Sequence, residues 1–437
     1  MTTALLTDRY ELTMLAGALG SGVASHRAVF EVFARHLPDG RRYGVVAGTG
    51  RLLDALQEFR FDDAQIAALR GQGWLDGDTL AWLAAFRFSG DISAFAEGEV
   101  YFPGDPVLTV EGPFGECLLL ETIVLSVLNH DSAIASAGAR MVHAAGGRPL
   151  IEMGSRRTHE WAGVAAARAA YLVGFASTSN LEAGHRYGVP TAGTSAHAFT
   201  LVHHDESEAF TAQVKALGVG TTLLVDTYDV DNGVRAAVRA AGPTGPGAVR
   251  IDSGDLAVEA KRVRRLLDAE GAKDTRIVVS GDLDEFSISA LADAPIDAYG
   301  VGTSLVTGSG APTAAFIYKL VAVADWDGAP FRDVAKRSPE KATVGGRKAA
   351  VRLLGEHGMA LADHLLRAGP PRSRHRPLQV PLVVAGEING RVSLDASRAH
   401  HRAALAELAP AALELDPGPP AIDVTVVGAP DGEGLPR

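Results

Sequence analysis

Between residues 149 and 303, short apolar runs repeatedly end in polar, glycine-rich turns, and amphipathic stretches separate them. The runs with their exits are PLIEMGSRR at 149–157, VGFASTSN at 173–180, VPTAGTSAH at 189–197, TLLVDTYD at 222–229, VRIDSGD at 249–255, RIVVSGD at 276–282 and DAYGVGT at 297–303. A parallel strand covered on both faces reads as such a run, and the segments 159–172, 206–217, 232–240 and 256–269 carry helical spacing. One strand–helix unit returns roughly every 25 residues, the rhythm of βα repeats closing into a barrel. Seven visible strands against the usual eight predict an irregular, roughly seven-stranded α/β barrel, with a doubly wound open sheet as the alternative that strand count leaves standing.

The flanks read differently. Segments 29–33, 43–47, 92–96 and 107–110 are short strands, the last following the turn at Pro103, Gly104 and Asp105, with a helical insertion at 63–86. A long apolar-rich helical stretch at 116–145, with room for a break, stops at Gly146 and Gly147, where a helix C-cap is expected. Beyond Trp326 the chain is richer in Pro, Gly and Arg; residues 378–384 are placed to add a strand to the N-terminal layer, and GAPDGEGLPR at 428–437 reads as a flexible end. The expected organisation is an α+β domain over 1–130, the barrel over 131–325, and a C-terminal segment, 326–437, that completes the N-terminal domain.

A length of 437 residues calls for two or three packed units, and 47% hydrophobic with 21% charged residues is a globular composition. The formal charge of -11 disfavours nucleic acid and anionic membrane as partners, so a phosphorylated substrate would need a local basic pocket. The single cysteine, Cys117, can form neither an intrachain disulfide nor a cysteine-rich zinc site, and its apolar setting at 117–120 points to core packing. Asp8, Arg9 and Glu11 interrupt the stretch a signal peptide would need, and no run approaches the ~20 apolar residues of a membrane span. A cytoplasmic protein is expected.

In parallel α/β folds ligands sit at the carboxyl ends of the strands, so the seven exits should share one pocket. They supply Arg156, Arg250, His197, several aspartates and an excess of Gly, Ser and Thr. Such a set suits a ligand with several phosphates: glycines admit backbone N–H groups, hydroxyls donate, and guanidinium forks pair with oxyanions. GVGTSLVTGSGAP at 300–312 is the clearest phosphate loop, a plain flexible connection being the competing reading. For Asp252, Asp255 and Asp282, helix N-capping and catalysis remain equally open.

TDRYELTM at 7–14, EMGSRR at 152–157, GTSAH at 193–197, RIDSGD at 250–255, SGDLDE at 280–285 and GVGT at 300–303 resemble, in order, the motifs of the nicotinate phosphoribosyltransferase family. The resemblance covers about three quarters of the chain, and AKRSPEKAT at 335–343 matches only loosely. It implies a type II phosphoribosyltransferase: an N-terminal domain, an irregular barrel and a head-to-tail homodimer with shared active sites. The paired acidic residues and Thr-Thr-Gly loop of type I enzymes are absent. The implied reaction is of ligase type. It joins nicotinic acid to phosphoribosyl pyrophosphate with help from ATP, using substrate-bound Mg²⁺ and no resident metal, and gives nicotinate mononucleotide and pyrophosphate in NAD salvage.

Carried over by motif, Tyr10 would stack on the pyridine ring from a neighbouring subunit, Arg250 would meet the nicotinate carboxylate, and Thr194 would lie beside the ring. Arg156, Ser253, Gly254, Gly281, Asp282, Gly300, Gly302 and Thr303 would hold phosphates. His197 matches the histidine that the family phosphorylates, with Asp226 as the candidate to orient it, and Asp252 would steady either the ribose or the metal. Nicotinamide phosphoribosyltransferases place an aspartate near the position of Ser179, which would repel a carboxylate, whereas a serine can donate to one. Three rival readings stand beside this one: a quinolinate phosphoribosyltransferase, which needs no ATP, a generic sugar-phosphate barrel enzyme, and a non-catalytic mononucleotide sensor.

Overall fold

The computed structural model describes residues 2–336, 343–367 and 371–428; the expected flexible end from 429 onward and most of AKRSPEKAT lie outside them. The chain divides into two compact units, one made of 1–133 with 313–437, the other of 134–312.

The first unit is built on a seven-stranded antiparallel sheet in the order Arg332–Asp333, Phe316–Ala324, Arg27–Ala34, Leu108–Pro113, Asp91–Phe95, Gln379–Val384, Glu387–Ile388. Gln379–Val384 pairs with Asp91–Phe95, so residues beyond 378 do return to this sheet. One boundary needs correcting. The βα rhythm carries the expected barrel to residue 325, yet Phe316–Ala324 pairs along its length with Arg27–Ala34. The run FIYKLVAVA buries Phe316, Tyr318, Val321, Ala322, Val323 and Ala324, and a strand covered that fully carries no mark of which sheet it joins. Cys117 is fully buried, and its carbonyl accepts the Tyr318 hydroxyl at 2.8 Å. The long helical stretch is broken, as Phe114–Leu118 and Glu121–Ala144.

The second unit holds a six-stranded parallel sheet in the order Ser177–Thr178, Leu150–Glu152, Ala298–Val301, Arg276–Gly281, Ala248–Ile251, Thr222–Leu224. The expected seven-stranded barrel is therefore corrected to a six-stranded parallel half-barrel. The seventh segment, 189–197, contributes one parallel bridge, Thr191 to Thr178, and among the described residues no backbone pairing joins it to Thr222–Leu224. The Pro190 carbonyl accepts from the Thr178 N–H and the Ala192 N–H donates to the Thr178 carbonyl, each at 2.9 Å, so the segment's backbone bonding is spent on Ser177–Thr178.

Val249, Ile251, Ile277, Val279 and Val301 are fully buried, and each such side chain stabilises the unit by about 1.5–3 kcal/mol. Helix Leu256–Ala269 begins where Asp255 accepts from the N–H groups of Ala257 and Val258, and it turns Ala260, Val263 and Leu267 inward at helical spacing. Helix Val230–Ala241 lies against the end of Thr222–Leu224 at Gly233, where an added Cβ would stand 2.3 Å from the Val225 carbonyl oxygen. Alanine at 233 would push the helix off the residue that precedes Asp226.

Candidate active site

Three strand exits meet around Asp226. The Val225 N–H donates to the Arg250 carbonyl at 3.2 Å, setting Asp226 beside the next exit. His197 Nε2 lies 3.2 Å from Asp226 Oδ1, while Asp226 Oδ2 accepts from the Asp252 N–H and the Ser253 hydroxyl, each at 2.8 Å. The Asp226 side chain is 1% exposed and that of His197 40%. Facing an acceptor-only carboxylate, Nε2 carries the ring proton, which leaves the Nδ1 lone pair available to an electrophile.

Asp252 accepts from the Ser280 hydroxyl at 2.6 Å and stands 3.5 Å from Arg250 Nη2. Arg250 Nη1 donates to the Thr194 hydroxyl, and its Nε is buried without a partner in a side chain only 11% exposed. An unmatched buried donor costs about 1–3 kcal/mol, which an incoming oxyanion can offset. The capping question divides by residue. Asp255 caps Leu256–Ala269, Asp284 rather than Asp282 caps Glu285–Ala290, and Asp252 is committed to Arg250 and Ser280.

Arg156 is exposed on the 3-10 turn Ser155–Arg157 and, with Met153, Ser179, Thr194 and Arg250, lines a cavity of about 490 Å³. Beneath it lies a residue that motif reading passed over. Glu152 is fully buried and accepts from the Gly154 N–H and the Thr178 hydroxyl. Thr178 Oγ1 accepts from the Asn180 N–H at 2.9 Å, Asn180 Nδ2 donates to Ser155 Oγ at 2.9 Å, and the Ser179 N–H donates to the Glu152 carbonyl at 2.8 Å. This chain fixes the Arg156 turn against the Ser179 turn. Burial pushes the Glu152 carboxyl above its ordinary range, with Thr178 and Gly154 opposing. A carboxylate inside the apolar run PLIEM was the signal available in the sequence.

Of the expected phosphate residues, Gly254 and Gly281 have φ of 84° and 142°, backbone open to glycine, and Asp282 is exposed beside them. Ser253 turns its hydroxyl to Asp226 instead. Gly300 is buried, and its missing side chain makes room for Met153, whose Sδ would lie 2.8 Å from a Cβ there. Gly302 and Thr303 open the short helix Thr303–Val306. The loop that follows is folded back, with the Ser309 hydroxyl donating to Glu285 at 2.6 Å.

Glu206, also missed, is buried at the start of helix Glu206–Leu217. Burial, then Asp229, Asp226 and Asp205, push its carboxyl up to about 7. Tyr10 belongs to the first unit, on helix Arg9–Ser21, 45% exposed, with its hydroxyl bonded to Glu121; burial first and then Glu121 raise it above the ordinary phenol range. Next to it Glu11 is fully buried and accepts from the Thr7 hydroxyl, the Thr122 N–H at 2.9 Å and the Thr122 hydroxyl at 2.6 Å. Burial pushes Glu11 up to about 7 against those bonds. Among the described residues no group of three or more His, Cys, Asp or Glu is arranged to hold a metal ion, and no helix is long and apolar enough to cross a membrane.

Residues 5–129 match the nicotinate phosphoribosyltransferase N-terminal domain, and residues 134–309 match the quinolinate phosphoribosyl transferase C-terminal domain. The chain is 59% identical over 436 residues to nicotinate phosphoribosyltransferase pncB1 of Mycobacterium tuberculosis, covering 97% of this chain and 95% of that protein. It is 33% identical to the nicotinate phosphoribosyltransferase of Homo sapiens, over 93% and 91% of the two chains. The crystal structure of human nicotinic acid phosphoribosyltransferase superposes with a TM-score of 0.82 at 28% identity over 97% of each chain. Nicotinate-nucleotide pyrophosphorylase from Pyrococcus furiosus superposes at 0.76 with 25% identity, over 92% of this chain and 95% of that one. Identity sustained along nearly the whole chain, on a parallel half-barrel whose exits carry this histidine–carboxylate–guanidinium set, places the chain in the nicotinate phosphoribosyltransferase family.

Proposed function

We propose that this enzyme transfers the phosphoribosyl group of phosphoribosyl pyrophosphate to nicotinic acid, yielding nicotinate mononucleotide and pyrophosphate for NAD salvage. ATP drives the reaction through a phosphohistidine at His197, in a cytoplasmic homodimer with shared active sites. The observation that carries the reading is the seating of His197 on Asp226 beside the Arg250–Asp252 pair.

The pyridine nitrogen forms a bond to the anomeric carbon as the bond from that carbon to pyrophosphate breaks, and pyrophosphate leaves with the electron pair. Arg250 would bind the nicotinate carboxylate through its unmatched Nε edge, with Thr194 beside the ring and Tyr10 of the partner subunit stacked on it. Arg156, Gly254, Gly281, Asp282, Gly302 and Thr303 would receive the phosphates, and Mg²⁺ would arrive on the pyrophosphate as part of the substrate. Asp252, already paired with Arg250, would steady the positive charge that develops on the ribose. In the coupled step His197 Nδ1 attacks the γ-phosphorus of ATP, the bond to ADP breaks, and Asp226 balances the charge that appears on the ring.

A His197→Asn enzyme tests this. Its nicotinate turnover should lose all stimulation by ATP; stimulation equal to that of the parent would sink the phosphohistidine. Quinolinate as substrate is the second reading, favoured by the family model over 134–309. It requires cationic groups for a second carboxylate, whereas Arg156 and Arg250 are the basic residues lining the cavity, and it leaves His197 without a task. Nicotinamide as substrate is disfavoured by Ser179, whose hydroxyl can donate to a carboxylate where an acceptor-only aspartate would repel it.

A further inference from the structure

The turn that carries His197 has less backbone support than its neighbours. Toward Ser177–Thr178 it makes the bridge at Thr191, and toward Thr222–Leu224 it makes no backbone hydrogen bond among the described residues. A side chain spans that gap. Gln213, 4% exposed on helix Glu206–Leu217, donates from Nε2 to Thr221 Oγ1 and to the Thr222 carbonyl, each at 3.0 Å. Its Oε1 accepts the hydroxyl of Ser195, two residues before His197. The amide cannot be reversed without setting oxygen against the Thr222 carbonyl, so the hydrogen-bond pattern itself fixes its orientation.

Two further side-chain bonds hold the turn, Thr194 with Arg250 and His197 with Asp226. Both lie on groups that the proposed cycle disturbs, since Arg250 takes up the carboxylate and His197 gains a phosphoryl group. The bond from Ser195, itself on the cavity lining, is made to a residue whose other partners are Thr221 and Thr222, none of which the proposed cycle uses, and it can persist through every step.

We propose that Gln213 is a positioning residue that, through Ser195, holds the His197 turn in register with Asp226, so that its loss uncouples ATP from phosphoribosyl transfer without abolishing the transfer. The proposal rests on the phosphohistidine reading above. A displacement of about 1 Å suffices to cost a reaction ~10²-fold; on this turn His197 must meet a phosphorus in line, whereas Thr194 keeps its own bond to Arg250 when the Ser195 bond is lost.

The experiment compares the full-length parent with Gln213→Ala, Gln213→Met, Ser195→Ala and the double variant Gln213→Ala/Ser195→Ala. It uses γ-labelled ATP for the rate of acid-labile labelling and unlabelled assays for turnover with and without ATP. Each Gln213 variant should label at least ~10-fold more slowly while ATP-free turnover stays within about twofold, and the double variant should label no more slowly than the slower single one. Ser195→Ala removes the same bond from the turn side while Thr221 and Thr222 keep their partner, so it reports even where a Gln213 variant folds poorly. A proportional fall in labelling and ATP-free turnover, or labelling at the parent rate, overturns the role of Gln213. A parent that takes no label on His197 overturns the phosphohistidine reading itself, and the two failures are thereby told apart.

Discussion

His197 and Asp226 stand 29 residues apart in sequence and 3.2 Å apart in space, with the second oxygen of Asp226 held by Asp252 and Ser253 of a third strand exit. That arrangement leaves the carboxylate little freedom to rotate and gives the histidine a defined tautomer. The chemistry assigned to the site depends on it.

Replacing Asp226 with asparagine keeps the shape and reverses the message. The Asp252 N–H and the Ser253 hydroxyl would retain the single oxygen, which turns the amide nitrogen toward His197 Nε2 and moves the ring proton to Nδ1. Labelling by γ-labelled ATP should fall by ~10²-fold or more while the melting temperature changes by only a few degrees. Labelling at the parent rate would show that Asp226 does not set the tautomer.

Arg250→Gln removes the cation and leaves Asp252 with Ser280 alone. The KM for nicotinate should rise by about 100-fold, the order expected for a lost charge-assisted pair, with a smaller change in the KM for phosphoribosyl pyrophosphate. Steady-state kinetics with each substrate varied in turn decides it; equal rises would place Arg250 elsewhere.

Ser179→Asp puts a carboxylate at an exposed position whose backbone is anchored to the Glu152 carbonyl. The ratio of kcat/KM for nicotinamide over nicotinate should rise at least ~10-fold. An unchanged ratio would remove Ser179 from substrate choice.

Glu11 links pH to stability. Its carboxyl is raised to about 7 in the folded chain, so the folded state binds more protons than the unfolded one between its ordinary value of 4.5 and 7. Its contribution is fully present below pH 4.5 and is lost as pH rises through 7, up to ~3 kcal/mol as an upper bound. Glu11→Gln keeps the acceptor for Thr122 and cannot ionise, so its melting temperature relative to the parent should rise from pH 5 to pH 8. A difference between the two that stays constant with pH would contradict the assignment.

How much of this was legible in the sequence depended on whether the signal was local. Helices Glu206–Leu217 and Leu256–Ala269 follow from apolar spacing within a single segment, with Asp205 and Asp255 as N-caps. His197, Asp252 and Arg250 stood in the ordered motifs and Asp226 in the neighbouring exit DTYD, and their approach was legible because exits of parallel strands converge. Phe316–Ala324 was misplaced because its partner is some 290 residues away, and a fully covered strand looks the same in either sheet. The seventh strand was not legible as missing, since 189–197 carries the same apolar run and polar exit as its neighbours and yet makes a single bridge, at Thr191. Gln213 had no signal at all, since a glutamine in an amphipathic helix becomes specific only when Ser195 and Thr222 are brought to either end of its amide.

The account is tested most directly by one assay of mononucleotide formation from phosphoribosyl pyrophosphate and Mg²⁺, with nicotinate, nicotinamide and quinolinate as competing substrates, with and without ATP. Nicotinate should be consumed in preference to both rivals, and ATP should raise its rate with ADP released. Preferential consumption of quinolinate with CO₂ evolution, or a nicotinate rate indifferent to ATP, would contradict it.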